Sequence, residues 1–269
     1  MPVVGSHESK NKPQAVDRIA LAVILTFERT GLLSATLESL KKASQDLHVI
    51  IYDDGSQSEG KLMELRELED KGYHVNYEPH RGLVRTWMKI FDDLAISLDT
   101  VGFAENDGVV LLEDDLLFSK GWDETLLKMA KGVADKGLNP GAMTCLRCHE
   151  VPQAQIMNLN GVRAYQSMQH GFQVNMVPIE IFRKMWVFEE AAVNSENGEH
   201  GIDIWFIGGL SHRLGLTSFM SEESWVAHTG SGRSIAEGQG YATFKGVGYN
   251  LVHGLLGETL DQADGAQLF

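Results

Sequence analysis

Short apolar segments alternate with amphipathic helical segments through the first half of the chain, and this alternation restricts the fold more than any other feature. Uninterrupted apolar runs occupy residues 19–27, 48–52 and 108–112, and each is typical of a strand buried on both faces. The segments between them have the spacing of amphipathic helices. Strands that alternate with helices predict an α/β fold with a mostly parallel central sheet flanked by helices.

Composition and charge narrow the functional class. The 269 residues are 43% hydrophobic and carry 37 acidic against 23 basic side chains, a formal net charge of −14. An acidic surface disfavours nucleic acids and anionic membranes as general partners. The sequence has no transmembrane segment and no apolar leader in residues 1–18, and its two cysteines, Cys145 and Cys148, are too few for a disulfide framework. We therefore expect a soluble, cytoplasmic protein.

Polar residues follow three of the predicted strands at the point where each strand ends, at residues 26–29, 53–56 and 113–115. One such group is the run of carboxylates Glu113, Asp114 and Asp115. Neighbouring like charges are costly unless a cation neutralises them, and Mg²⁺ and Mn²⁺ prefer oxygen ligands. The group therefore indicates a divalent metal site, with a solvated acidic loop as the ordinary alternative.

The second group, Asp53 and Asp54 followed by Gly55, directly follows the apolar run at residues 48–52. A carboxylate in this place can accept hydrogen bonds from a nucleotide base or a ribose hydroxyl, and the glycine permits a tight turn. A plain Asp-Gly turn is the simpler alternative. Because ligands of open α/β sheets bind at the carboxyl ends of the strands, two acidic strand ends favour a nucleotide site.

The order of these motifs resembles the nucleotide-sugar glycosyltransferases of the GT-A fold, particularly the family 2-like enzymes. The resemblance covers residues 20–130 and rests on four segments, VILTFER at 23–29, IIYDDGS at 50–56, HRGLVR at 80–85 and VLLEDD at 110–115. It implies a Rossmann-like sheet followed by a less regular C-terminal acceptor-side region. The expected organisation is a flexible arm at residues 1–18, a nucleotide-sugar-binding half at 19–130, an acceptor-binding and catalytic half at 131–245, and a tail at 246–269.

The resemblance also implies roles for individual residues. Asp115 and His228 are the expected metal ligands, although His228 on its own would be taken for an ordinary surface or core histidine. The residues expected to bind the nucleotide diphosphate are Thr26, Phe27, Arg29, Asp53, Asp54, Arg81, Arg85, Glu113, Asp114 and Arg233.

The catalytic base is expected in the C-terminal half. Asp203, within GIDIW at residues 201–205, resembles the acidic motif that deprotonates the acceptor, and Glu199 is the alternative base. An aspartate at a helix start is also a common N-cap. The implied reaction is metal-dependent transfer from a nucleotide-diphosphate sugar, such as a UDP-sugar, to an acceptor hydroxyl with inversion, using Mn²⁺ or Mg²⁺. A retaining route, the oligomeric state and the acceptor stay open; the acceptor candidates are a glycan, a lipid-linked sugar, a protein or a modified DNA base.

Two other functions fit part of the sequence. Residues 55–61, GSQSEGK, match the first seven positions of a phosphate-binding P-loop, but Leu62 stands where a Ser or Thr should reach Mg²⁺. A non-catalytic carbohydrate-binding module of the same fold is the other alternative, with tryptophans that stack on sugars. The retained carboxylates favour an enzyme over such a module.

Overall fold

The structure is a computed structural model that describes residues 13–44, 47–147, 156–167, 172–184 and 202–229. Strands and helices alternate in its first half, as predicted. The helices are α1 (Leu32–Ala43), α2 (Glu59–Asp70), α3 (Leu83–Thr100), α4 (Trp122–Asp135) and α5 (Ile202–Leu214), and a 3-10 helix spans Ile179–Lys184. The strands are β1 (Arg18–Thr26), β2 (Val49–Asp53), β3 (His74–Tyr77), β4 (Asp107–Glu113), β5 (Leu116–Phe118), β6 (Pro140–Thr144), β7 (Ile156–Leu159), β8 (Val162–Gln166), β9 (Val174–Pro178), β10 (Thr217–Ser221) and β11 (Val226–His228).

In the described part of the chain, a sheet of nine strands has the order β3-β2-β1-β4-β9-β6-β10-β8-β7. The pairs β3-β2, β2-β1, β1-β4 and β6-β10 are parallel, and the remaining pairs are antiparallel. Only β8 and β9 therefore run against the other strands of this sheet. The predicted class, a mostly parallel sheet flanked by helices, is confirmed.

Each face of the sheet has its own apolar core. Along β1, Ala22 and Ile24 face the core that includes Leu33, Leu65 and Trp122 from α1, α2 and α4. The intervening β1 side chains face the opposite core, which α3, the 3-10 helix and α5 cover with aromatic rings. Helices on both faces explain why β1 and β4 are apolar without alternation.

The chain before β1 contributes to the first of these cores. Val16 is buried there, and its side chain lies against Gly108 of β4. Strand β1 begins at Arg18, and the division of the chain into an arm, two halves and a tail stays a prediction. Among the described residues, no helix is both long enough and apolar enough to span a bilayer.

The turn after β2 depends on Gly55, which has a φ of +73°. A Cβ at this position would lie 2.3 Å from the backbone nitrogen of His80, so the turn and the loop after β3 approach each other too closely for a side chain. We expect Gly55→Ala to lower the free energy of unfolding by roughly 3–5 kcal/mol, from left-handed backbone strain and the clash together. Urea unfolding monitored by circular dichroism measures the change.

Gly137 is the matched control for this variant. It has a φ of +77°, and a Cβ there meets no atom within 4 Å. Gly137→Ala should therefore cost only the backbone strain, about 1–2 kcal/mol. Equal losses in the two variants would contradict the close approach at Gly55.

Candidate active site

The carboxyl ends of β2, β1 and β4 lie side by side and carry most of the predicted site residues. In the register of these parallel strands, Thr26 of β1 pairs with Asp53 of β2, and Leu25 pairs with Glu113 of β4. The two acidic strand ends therefore flank one residue of the central strand, Thr26. This is the edge at which open α/β sheets bind their ligands.

Glu113, Asp115 and His228 come together at this edge, although more than one hundred residues of sequence separate the histidine from the acids. The His228 Nε2 atom lies 3.1 Å from Asp115 Oδ2 and 3.7 Å from Glu113 Oε2. One ligand atom from each side chain can be chosen so that all three lie within 4.8 Å of one another. The three side chains thus form a compact set of two carboxylates and an imidazole.

A two-stranded ribbon brings His228 to the acids. Strand β11 pairs antiparallel with β5, which follows the acidic residues directly, and this places His228 opposite Leu116. The next residue, Thr229, donates from its backbone nitrogen to the carbonyl oxygen of Asp115 at 2.8 Å and from its hydroxyl at 3.0 Å. These bonds fix the end of β11 against the loop that carries Asp115.

Asp114 points in the other direction, into the protein, and its side chain is fully buried. Its carboxylate accepts a hydrogen bond from Thr26 Oγ1. The hydroxyl of Thr36 in α1 donates to the Asp114 carbonyl at 2.8 Å and accepts from the Leu116 backbone nitrogen at 2.8 Å. Asp114 and Thr36 therefore anchor the acidic loop, residues 113–115. Thr36 is not among the site residues that the sequence predicts.

Arg29 pairs with both aspartates of the loop. One guanidinium nitrogen contacts Asp115 and another contacts Asp114. Its side chain is 28% exposed, so Arg29 is not sealed inside the protein. A cation at this place partly neutralises the three consecutive carboxylates.

The charges of the site shift one another's ionisation. Burial and the neighbouring Asp115 carboxylate raise the pKa of Glu113 to about 7. Burial also favours the neutral form of Asp115, but hydrogen bonding and charge from His228, with Arg29, outweigh it and lower the pKa of Asp115. In return, the Asp115 carboxylate outweighs burial at His228 and raises the pKa of that imidazole. Asp115 and His228 thus stabilise each other's charged forms.

The chemistry of these residues fits a divalent ion. The Asp115 Oδ1 atom is buried and accepts no hydrogen bond from the part of the chain that the structure describes. An unsatisfied carboxylate oxygen beside a second carboxylate and an imidazole is unusual in a protein interior, because buried acceptors are normally bonded. Two carboxylates and an imidazole can together supply oxygen and nitrogen ligands to such an ion.

The two aspartates after β2 have protein partners of their own. The buried Asp54 carboxylate accepts from the backbone nitrogens of Arg81 at 2.9 Å and Gly82 at 3.1 Å, and from the hydroxyl of Thr86. Asp53 accepts from the nitrogen and hydroxyl of Ser56. Both carboxylates thus shape the loops around the edge, and their contact with a nucleotide stays a prediction.

Aromatic and basic groups border the same loops. The ring of Phe27 stacks on the imidazole of His80 with centroids 4.6 Å apart, and the His80 Nδ1 atom lies 3.0 Å from the Asp54 carboxylate. Arg81 and Arg85 are exposed at the start of α3. The structure therefore brings these predicted nucleotide residues to one side of Thr26 and the metal-type cluster to the other.

The phosphate-loop alternative is disfavoured by the start of α2. The Glu28 carboxylate accepts from the backbone nitrogens of Gln57 at 2.6 Å and Ser58 at 3.0 Å, which are the amides that a phosphate would need. The Lys61 ammonium is fully buried and donates to the Arg29 carbonyl at 3.0 Å and to Glu64 at 2.9 Å. The Glu28 carboxylate already occupies the amino end of α2, and the Lys61 side chain points into the protein.

Three predicted residues lie beyond what the structure describes. Glu199 and Arg233 fall outside the described residues. Asp203 lies in the first turn of α5, but its side chain is outside the description. Their roles stay predictions.

Solved structures with a similar fold include glycosyltransferases. GalNAc-T7, solved with UDP, GalNAc and Mn²⁺, is 15% identical with a TM-score of 0.50, over 78% of this chain and 44% of that chain. The mannosyltransferase PcManGT from Pyrobaculum calidifontis, in complex with GDP-Man and Mn²⁺, is 16% identical with a TM-score of 0.48, over 77% and 55% of the two chains. TarS of S. aureus is 13% identical with a TM-score of 0.43, over 79% and 37%.

This chain therefore spans only part of the length of the proteins it resembles, about half or less. No family model matches its sequence, and no curated protein does. The likeness is one of fold. The chain has a GT-A fold like that of the nucleotide-sugar glycosyltransferases.

Proposed function

We propose that this protein is a metal-dependent glycosyltransferase that moves a sugar from a nucleotide-diphosphate sugar to an acceptor hydroxyl. The cluster of Glu113, Asp115 and His228 at the carboxyl edge of a GT-A sheet is the observation that carries the proposal. GalNAc-T7, the neighbour with the TM-score of 0.50, was solved with UDP and Mn²⁺. A UDP-sugar is accordingly the first donor to test.

The residues divide into three groups by their expected roles. Asp115 and His228, with Glu113, would hold the ion, which when bound would offset the negative charge that develops on the leaving diphosphate. Arg29 has a partly exposed side chain whose guanidinium contacts Asp114 and Asp115, and it would bind the donor's phosphates from the protein side. The proposed nucleotide pocket consists of Thr26, Phe27, Asp53, Asp54, Arg81, Arg85 and Asp114, with Arg233.

The proposed acceptor is a hydroxyl-bearing molecule: a glycan, a lipid-linked sugar, a protein or a modified DNA base. A net charge of −14 disfavours DNA unless basic residues collect near the cleft. A carboxylate on the acceptor side would produce a single displacement with inversion.

Release of nucleoside diphosphate tests this function and separates it from its alternatives. The chain is incubated with UDP-sugars and GDP-sugars, with Mn²⁺ or with chelator, and the release of UDP or GDP is measured. We expect slow, metal-dependent release from one donor, since water can take the place of the acceptor hydroxyl. A binding module would raise the melting temperature with a donor but release nothing. Release of phosphate from ATP, with no reaction of any sugar donor, would instead support the nucleotide hydrolase.

Asp203→Asn is expected to lower the rate of transfer by about 100- to 10,000-fold, because an amide cannot accept the proton of the acceptor hydroxyl. Donor affinity should stay within about threefold of the wild type, since the base does not touch the nucleotide. Calorimetric titration with UDP and Mn²⁺ measures affinity, and product analysis with the identified acceptor measures transfer. Glu199→Gln is the companion variant: normal transfer by Asp203→Asn together with loss in Glu199→Gln would move the base to Glu199.

A further inference from the structure

Lys61 is a charged residue on the apolar face of a helix. It lies at the position of α2 that precedes Leu65 and Leu68 by one and two helical turns, and all three side chains are buried. Its side chain has no exposed surface. Burying an ammonium is costly unless partners surround it, so its contacts indicate what it does.

Those contacts join α2 to the candidate active site. The Lys61 ammonium donates to the carbonyl oxygen of Arg29 at 3.0 Å and lies 3.9 Å from Asp114 Oδ2. Its third partner is Glu64, at 2.9 Å, which also accepts from the backbone nitrogen and hydroxyl of Ser34 in α1. One buried cation thus touches the loop of Arg29, the middle acid of the motif and the carboxylate that links α1 to α2.

We propose that Lys61 is a positioning residue of the metal site and acts through Asp114; this inference rests on the proposed function. Asp114 holds one nitrogen of the Arg29 guanidinium, and Asp115 holds another. Lys61 offsets the charge of Asp114 from the side of α2. Its hydrogen bond to the carbonyl oxygen of Arg29 fixes the backbone there. Lys61 would thereby keep Arg29 and the Asp114 carboxylate in place when Asp115 serves as a metal ligand.

The location of Asp114 supports this role. Among the described residues within ion-pair distance of its carboxylate, Lys61 approaches from α2 and Arg29 from the site itself. The hydroxyl of Thr26 supplies a neutral hydrogen bond. Loss of the lysine would leave a buried carboxylate that depends on Arg29 alone for its charge balance. It would also release the backbone of Arg29, so that Asp114 and the neighbouring metal ligand Asp115 would lose their fixed positions.

A double-mutant cycle with Mn²⁺ as the probe tests the inference. Lys61→Met keeps an unbranched side chain of similar length on the apolar face. We expect it to weaken Mn²⁺ binding, measured by calorimetry, by about 10- to 100-fold, as for other residues that support a metal ligand. In the Asp114→Asn background the same substitution should change Mn²⁺ affinity by less than about threefold, since the charge through which Lys61 acts is gone.

A control and a second variant guard against trivial explanations. Lys89→Met removes a lysine of α3 that pairs with Asp93, away from the metal cluster, and should leave Mn²⁺ affinity unchanged. If Lys61→Met does not fold, as judged by urea unfolding, Lys61→Met with Glu64→Leu replaces the ion pair by apolar side chains, which often preserves stability. This pair should show the same dependence on Asp114.

The outcomes are distinct. Equal losses of Mn²⁺ affinity with and without the Asp114 charge would make Lys61 a purely structural residue and overturn the inference. Unchanged Mn²⁺ affinity in folded Lys61→Met would overturn it as well. A wild-type chain that binds no Mn²⁺ would contradict the proposed function itself, and the inference with it.

Discussion

Asp115→Ala is expected to remove measurable Mn²⁺ binding, a loss of at least about 100-fold in affinity, and with it the metal-dependent release of nucleoside diphosphate. Asp115 supplies the oxygen nearest to His228 and carries a second, buried oxygen that accepts no hydrogen bond within the described residues. Its removal takes away the central ligand and leaves Glu113 and His228. Calorimetry with Mn²⁺, followed by UDP-sugar turnover, measures both effects.

Asp107→Ala provides the matched control for that variant. Asp107 is a buried aspartate at the opposite end of the same strand β4, where it pairs with Arg18. Its loss should lower the stability of the chain without changing Mn²⁺ affinity. Turnover by Asp115→Ala at the wild-type rate in the presence of chelator would show that the reaction needs no ion at this site.

Arg29→Ala should destabilise the metal-free protein by about 3–5 kcal/mol and make its stability strongly dependent on Mn²⁺. Arg29 is paired with Asp114 and Asp115, both of which are buried, and its removal leaves their charges without the guanidinium. A divalent ion can supply part of the missing positive charge. The increase in the free energy of unfolding on adding Mn²⁺, measured with urea, should therefore be larger in the variant than in the wild type.

Arg18→Ala is the control for this comparison. Arg18 also pairs with a buried aspartate, Asp107, but its own side chain is 67% exposed and it lies at the amino end of β1. We expect a smaller loss of stability there and no extra response to Mn²⁺. If Mn²⁺ stabilises Arg29→Ala and the wild type equally, the ion and the guanidinium do not share the same carboxylates.

The sequence predicted the first half of the fold well, because its strands are buried on both faces and therefore apolar throughout. Predicted and observed bounds of β1, β2 and β4 differ by one residue at each end. Strands β8 and β10 lay outside the prediction. They are short and mixed in composition, and they lie toward the far end of the sheet, where pairing depends on contacts that periodicity does not reveal.

The candidate site was predictable only in part, for a similar reason. Adjacent carboxylates after a buried strand were visible in the sequence, but the approach of His228 depends on the ribbon of β5 and β11, each of three residues. Lys61 shares the apolar face of α2 with Leu65, and this placement indicates an internal partner for the lysine more directly than a phosphate ligand.

The acidic loop draws its supports from distant parts of the chain: Thr36 of α1, the α2 lysine and Thr229 after β11. These partners are spread over residues 36–229, so a partly folded chain cannot assemble the ligand set. Occupancy by a metal ion would consequently report on cooperative completion of folding, and a trace of Mn²⁺ during refolding would be a sensitive indicator of the last step.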